Sequence, residues 1–206
     1  MEQERSRIAE DLHDRLGAQS TQIMFQSKAL TEQAKQQGSS RLNLVSEQIQ
    51  ETAQEMTLSL DEIVWATDPA KDNLESSMAF ILSYAESYFK DTATRLRVDV
   101  PLGLESRQFS TESRHQIFLA VKEGLANVLK HAKASTVWLR MGLEKEHLRI
   151  IIEDDGIGMS LPPSKDSRNG LSNIKRRIES IGGNVQYAAN EHGGLVVKIT
   201  VPSSES

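Results

Sequence analysis

From Ile8 the apolar residues Leu12, Leu16, Ile23 and Leu30 recur at helical spacing, and Gln19 and Gln26 fill intervening positions of a heptad pattern. This stripe constrains the chain more than any other feature, because an amphipathic helix of that length has to cover it. Gly38, Ser39 and Ser40 interrupt the pattern, after which Leu42, Val45, Ile49, Met56, Leu60 and Ile63 make a second stripe. Two such helices joined by a short turn form an antiparallel hairpin. A hairpin with one apolar seam cannot bury that seam alone, so pairing with a second copy into a dimeric four-helix bundle is the natural solution. The alternative is packing of the hairpin on the rest of its own chain.

Residues 67–73 (TDPAKDN) are polar, and Pro69 both lacks an amide donor and disfavours a helical Asp68. The expected organisation is therefore a hairpin over residues 1–67, a linker over 68–73 and a second domain over 74–203. That domain opens with a helix carrying Met78, Ile81, Leu82, Ala85 and Phe89. RLRVDVP (95–101) then alternates Leu96, Val98 and Val100 as a half-buried strand does. A helix over 111–130 and strands over 136–141 and 148–154 follow, with the apolar run 148–152 marking a central strand. Residues 161–169 (LPPSKDSRN) read as a mobile loop, 171–181 as a helix stopped by Gly182 and Gly183, and 185–188 and 195–201 as the closing strands. Helices segregated to one face of several strands predict an α+β class, here an α/β sandwich.

The 206 residues, 38% hydrophobic and 26% charged, suit two domains of this kind. A net charge of -5 gives no basic footprint for direct nucleic-acid binding. The absence of Cys excludes disulfides, thiolate zinc sites and cysteine nucleophiles, and a reducing cytoplasm is the expected compartment. No apolar run approaches the roughly 20 residues needed to span a bilayer, and residues 1–10 are too charged for a signal peptide, so the chain as given is expected to be soluble.

Three segments carry candidate chemistry. In EGLANVLKH (123–131) the spacing of three and four puts Glu123, Asn127, Lys130 and His131 on the side of a helix opposite Ile117, Val121, Leu125 and Leu129. The Asn127 amide oxygen is a hard ligand suited to Mg²⁺, and Lys130 and His131 can meet phosphates; a merely solvated helix face is the alternative. In EDDGIGM (153–159) the Asp154 carboxylate ends a buried strand, beside Gly156 and Gly158, which let backbone approach a flat ligand; such a carboxylate can accept an adenine amino group. Asn169, Gly170 and Leu171 bring a helix N-terminus beside the loop, where free amides favour phosphate oxygens. His115, His147 and His192 lack metal-ligand spacing and read as surface residues, and Trp65 and Trp138 as core or hinge packing.

The ordered trio of Asn127, D-x-G-x-G at 154–158 and N-G-L at 169–171 resembles the GHKL group of ATPases and kinases, which share the Bergerat ATP fold. ERSRIAEDLHD (4–14) resembles the phosphoacceptor box of sensor histidine kinases that partner response regulators of the LuxR type. DEIVWATDPAKDNLESS (61–77) is similar to the junction in many members with periplasmic propeller sensors. The resemblance implies ATP and Mg²⁺ as cofactors, with Asn127 holding the metal, Glu123 as a further candidate ligand, Asp154 binding adenine and residues 160–169 forming the ATP lid. It also implies that His13 accepts the phosphoryl group, that Asp14 fixes its tautomer and takes its proton, and that the group passes to a receiver-domain aspartate of a response regulator. A homodimer follows, with the sensor missing from this chain, which would be the cytoplasmic part of a membrane-anchored receptor.

Two departures stand out. Relatives commonly place Gln five residues after the histidine, but Ala18 stands there with Gln19 next to it, about 100° around the helix, so weak phosphatase activity is expected. Leu195 occupies a place where the ATP fold usually offers Thr, which implies a looser or water-mediated hold on adenine. The rival readings are a GHKL ATPase or serine-type kinase in which Glu123 activates water or a hydroxyl, and a binding module without turnover.

Overall fold

The computed structural model describes residues 2–36, 39–67, 73–101, 109–158, 165–191 and 193–203, with the side chains of 2–15, 51, 54, 55, 58, 66, 67 and 165–169 outside the description. Gly38, His192, most of the expected linker (68–72) and the first part of the expected lid (160–164) lie outside the described residues. The chain divides into two compact units, Met1–Pro69 and Ala70–Ser206. Among the described residues no helix is long and apolar enough to cross a membrane.

The first unit is a hairpin of α1 (Glu2–Gln36) and α2 (Ser40–Thr67). Its internal seam is not the apolar stripe. Ser20, Ser27 and Ala34 of α1 and Ser46, Ala53 and Leu60 of α2, each set spaced by seven, are buried, and Thr31 and Trp65 complete the buried positions among the described side chains. Thr31 Oγ1 lies 2.8 Å from Ser46 Oγ, and Ser27 Oγ donates to the Ser46 carbonyl. Small side chains let the two backbones approach, and the buried hydroxyls of Ser27, Thr31 and Ser46 are satisfied across the seam or by carbonyls about one turn back, whereas that of Ser20 has no protein partner. Ile23, Leu30, Leu42, Val45, Ile49, Met56 and Ile63 are left exposed on the hairpin, as expected of a stripe that one hairpin cannot bury alone.

The second unit begins where Asn73 caps α3 (Leu74–Phe89), its side chain accepting from Ser76 N at 2.8 Å. After β1 (Arg95–Asp99), Ser110 caps α4 (Thr111–Asn127). A hairpin of β2 (Thr136–Glu144) and β3 (His147–Asp154), then α5 (Lys165–Glu179), β4 (Asn184–Ala189) and β5 (Leu195–Pro202) complete the order. The strands form a five-stranded sheet, β1-β2-β3-β5-β4, in which only β1 pairs in parallel. Val137, Leu139, Met141, Leu148, Ile150 and Ile152 point into the core and alternate with half-exposed residues on the open face, as a sheet covered on one side requires. Gly124 of α4 is held against Ile152 and Ile174, and Phe118 packs on Phe80 and Tyr84, so α3, α4 and α5 share that core. This is the α/β sandwich of the Bergerat fold following a helical region.

Three expectations need correction. β1 is an edge strand and largely exposed, with Val98 39% accessible, because β2 is the one strand paired with it. The helix expected to run to residue 130 ends at Asn127 and widens into a π turn, Val128–Ala132, closed by Lys133 at φ 52°. And α5 starts at Lys165, not 171: nothing after Pro163 in SKDSRN forbids helix, so it extends towards the prolines.

Candidate functional site

The Glu123 and Asn127 side chains lie one turn apart on α4 and converge on α5. A Cβ built on Gly170 would stand 2.6 Å from Glu123 Oε1, 3.0 Å from Asn127 Oδ1 and 3.1 Å from its Nδ2. Asn127 Nδ2 is buried without a protein partner. The two side-chain oxygens brought together beside Gly170 are of the hard kind that Mg²⁺ takes, few at a time, completing its shell with water and phosphate, while the unpartnered Asn127 N–H suits an acceptor such as a phosphate oxygen. Among the described residues no cluster of three His, Asp or Glu offers a closed metal cage. Lys130 and His131 sit exposed on the π turn, whose i→i+5 bonding departs from the helical spacing that had aligned them with Asn127.

The second centre is Asp154, only 3% exposed at the end of β3. Its Oδ1 accepts the Gly156 amide at 2.9 Å, and the Leu195 backbone also donates to its carboxylate. Burial raises its pKa above the ordinary carboxylate value; those two backbone bonds oppose the shift, and the charges of Asp155 and Glu153 add to it. A carboxylate so placed has acceptor capacity left for a donor entering from outside. The glycines around it serve backbone packing: a Cβ on Gly156 would run into the Ala132 carbonyl, one on Gly158 (φ 68°) into the Gly193 carbonyl, and one on Gly194 into the carbonyl of Asp154 itself. Close approach of protein backbone thus accounts for the lack of a side chain at Gly156 and Gly158.

The phosphate-binding role expected of the Asn169, Gly170 and Leu171 amides needs correction. With α5 starting at Lys165, Gly170 and Leu171 fall inside the helix, and the free amides belong to its first turn. Leu171 is fastened instead from β4, by a 2.7 Å bond from Tyr187 Oη to its carbonyl. Backbone at His13 and Asp14 lies within α1, but their side chains are outside the described residues, as is that of Asn169.

Asn190, Gly193 and Gly194 were missed as site residues. Asn190 Nδ2 donates to the Asp154 carbonyl at 3.0 Å, and the turn that it opens carries both glycines onto the Asp154 loop. The Gly193-Gly194 doublet was the available signal, and it reads equally well as an ordinary turn.

Residues 112–205 match the family described as histidine kinase-, DNA gyrase B-, and HSP90-like ATPase. Residues 4–71 match a histidine kinase family. The two matches lie in the order found in sensor histidine kinases, and the chain is similar to the catalytic cores of known histidine kinases. It is 27% identical over 203 residues to the sensor histidine kinase LiaS of Bacillus subtilis, covering 97% of this chain and 54% of that protein. It is 24% identical over 204 residues to the sensor histidine kinase YxjM of the same organism, covering 97% and 48%. It thus spans about half the length of these relatives. The fold is similar to the histidine kinase domain of the blue-light activated kinase EL346 of Erythrobacter litoralis, with a TM-score of 0.55 at 18% identity over 88% of this chain and 95% of that one.

Proposed function

We propose that this chain phosphorylates its own His13 from ATP and hands the phosphoryl group to an aspartate on the receiver domain of a response regulator. The observation that carries the reading is the convergence of Glu123 and Asn127 on Gly170, with a buried Asn127 amide nitrogen left unpartnered, in the unit that also holds the buried Asp154 carboxylate. Asp154 accepts the adenine amino group, while Lys130 and His131 lie on the phosphate side. Mg²⁺ bound through Asn127 and Glu123 supplies charge neutralisation at the phosphates. The imidazole of His13 attacks the γ-phosphorus as the bond to the ADP oxygen breaks, and Asp14 takes the ring proton.

The exposed apolar face of the hairpin supports a homodimer, and the similarity of residues 4–14 to its family box supports a regulator of the LuxR type. The polar stretch 68–73 is the linker between residues 1–67 and 74–203 in this reading. Ala18 is exposed on α1, and in the place commonly held by Gln it predicts weak phosphatase activity; Ala18→Gln should strengthen it.

Radiolabelled ATP tests the reading. The expected label is acid-labile, base-stable and absent from His13→Gln. Phosphate release without labelled protein, or acid-stable label, would point instead to a GHKL ATPase or serine-type kinase in which the half-buried Glu123 activates water or a hydroxyl.

A further inference from the structure

Asp155 stands between the buried Asp154 and Gly156, and the phosphotransfer reading leaves it without a role. Its Oδ1 accepts from the Ser135 and Thr136 amides, both at 2.8 Å, and its Oδ2 from Ser135 Oγ at 2.6 Å. Its own amide donates to the Thr136 carbonyl at 3.2 Å. Burial opposes its ionisation, but the bonds from Ser135 and Thr136 outweigh that and hold the carboxyl below its ordinary value. It is therefore a charged acceptor at neutral pH.

Ser135 lies three residues beyond the end of the π turn that follows Asn127. Two residues after Asp155, the Ile157 amide donates to Ala132 at 2.8 Å, and Gly156 is pressed against that same carbonyl. Residues 132–136 and 154–157 are thus clamped together, and Asp155 supplies the charged side chain of the clamp. The peptide between Asp155 and Gly156 carries the amide that bonds Asp154 Oδ1.

We propose that Asp155 is a positioning residue for nucleotide binding: by fixing that peptide it aims the Gly156 N–H at Asp154 and holds the buried carboxylate in the rotamer that receives the base. The inference rests on Asp154 being the nucleobase acceptor. A plain structural staple between β2 and β3 would lower stability when removed and leave the folded protein's affinity for nucleotide alone.

The test uses the full chain, with Mg·ATP and Mg·ADP titrated calorimetrically into wild type, Asp155→Asn and Ser135→Ala, alongside melting curves and autophosphorylation rates. Asp155→Asn removes the charge that strengthens the two amide bonds and reverses the bond with Ser135 Oγ, so nucleotide Kd should rise about tenfold while the rate at saturating ATP stays within about twofold. Ser135→Ala removes a single bond and should weaken binding about threefold. A lowered melting temperature with Kd unchanged in both variants overturns the proposal. If Asp155→Asn does not fold, Ser135→Ala decides by the same criterion. A wild type that binds no nucleotide sinks the ATP-site reading and the clamp with it, whereas equal binding by wild type and variants sinks the clamp alone.

Discussion

Gly170 of α5 stands against Asn127 of α4 so closely that a Cβ at position 170 would lie 3.0 Å from the Asn127 amide oxygen. Glu123 is nearer still, at 2.6 Å, but its carboxylate ends a longer side chain and can swing aside. Gly170→Ala should therefore displace Asn127 or lift α5, at a stability cost of about 1–3 kcal/mol. Nucleotide binding should be lost in a protein that still gives a folded circular-dichroism spectrum. Retained affinity would mean that the Asn127 amide takes no part in holding the ligand.

Asp154 sets function against stability. Burial raises its pKa, so the folded chain keeps this proton at pH values where the unfolded chain has released it. Folding is thus opposed by its charge as pH rises through the folded pKa, and the cost vanishes below the unfolded value. Asp154→Asn is expected to melt higher than wild type at neutral pH, with the gap narrowing towards about pH 4. Its affinity for ATP should fall at least about tenfold, because an acceptor for the base has been lost. A variant that melts lower at pH 7 and binds ATP normally would contradict both parts.

Tyr187 fastens β4 to α5 through the Leu171 carbonyl, and its hydroxyl pKa is pushed up to about 12, by burial first and by the nearby Glu179 charge second. The protonated form is the one favoured by the fold, so its contribution is complete below the unfolded pKa and disappears as pH rises through the folded value. Tyr187→Phe should cost about 1 kcal/mol in urea unfolding at pH 7. In an ultraviolet titration the variant should lack the late phenolate transition of wild type; a late transition that survives belongs to another tyrosine.

The sequence made some of this architecture legible and hid the rest for physical reasons. Heptad spacing marked both hairpin helices, and period-two alternation found β2 and β3, because burial on one face imposes those patterns. The inner seam at Ser20, Ser27, Thr31 and Ser46 stayed hidden, since buried hydroxyls look polar until their cross-helix partners are known. VLKHA gives no local hint of a π turn, a rare departure from helical bonding in which Val128 and Ala132 are buried. In the candidate site Asn127 and Asp154 were legible as isolated polar groups at apolar edges. Asp155, Asn190 and the Gly193-Gly194 turn act through backbone partners far away in the chain, which no local window contains.

The exposed stripe on the hairpin yields the last prediction. Ile23, Val45, Ile49 and Met56 line an apolar groove together with Gln48, Thr52 and Ala53. A second hairpin seated there would bury the exposed 40% of Ile49 in both copies, at about 1 kcal/mol for each side chain, and a charge in its place would also be desolvated, so placing one there should weaken association by at least about 30-fold. Light scattering should find wild type dimeric and Ile49→Arg monomeric at the same micromolar concentration. Phe25 provides the control: it is 70% exposed, yet two residues beyond Ile23 it faces the opposite side of α1, about 200° around. Phe25→Ser should stay dimeric. If it dissociates while Ile49→Arg does not, the copies meet through the other face of α1 and the groove is not the interface.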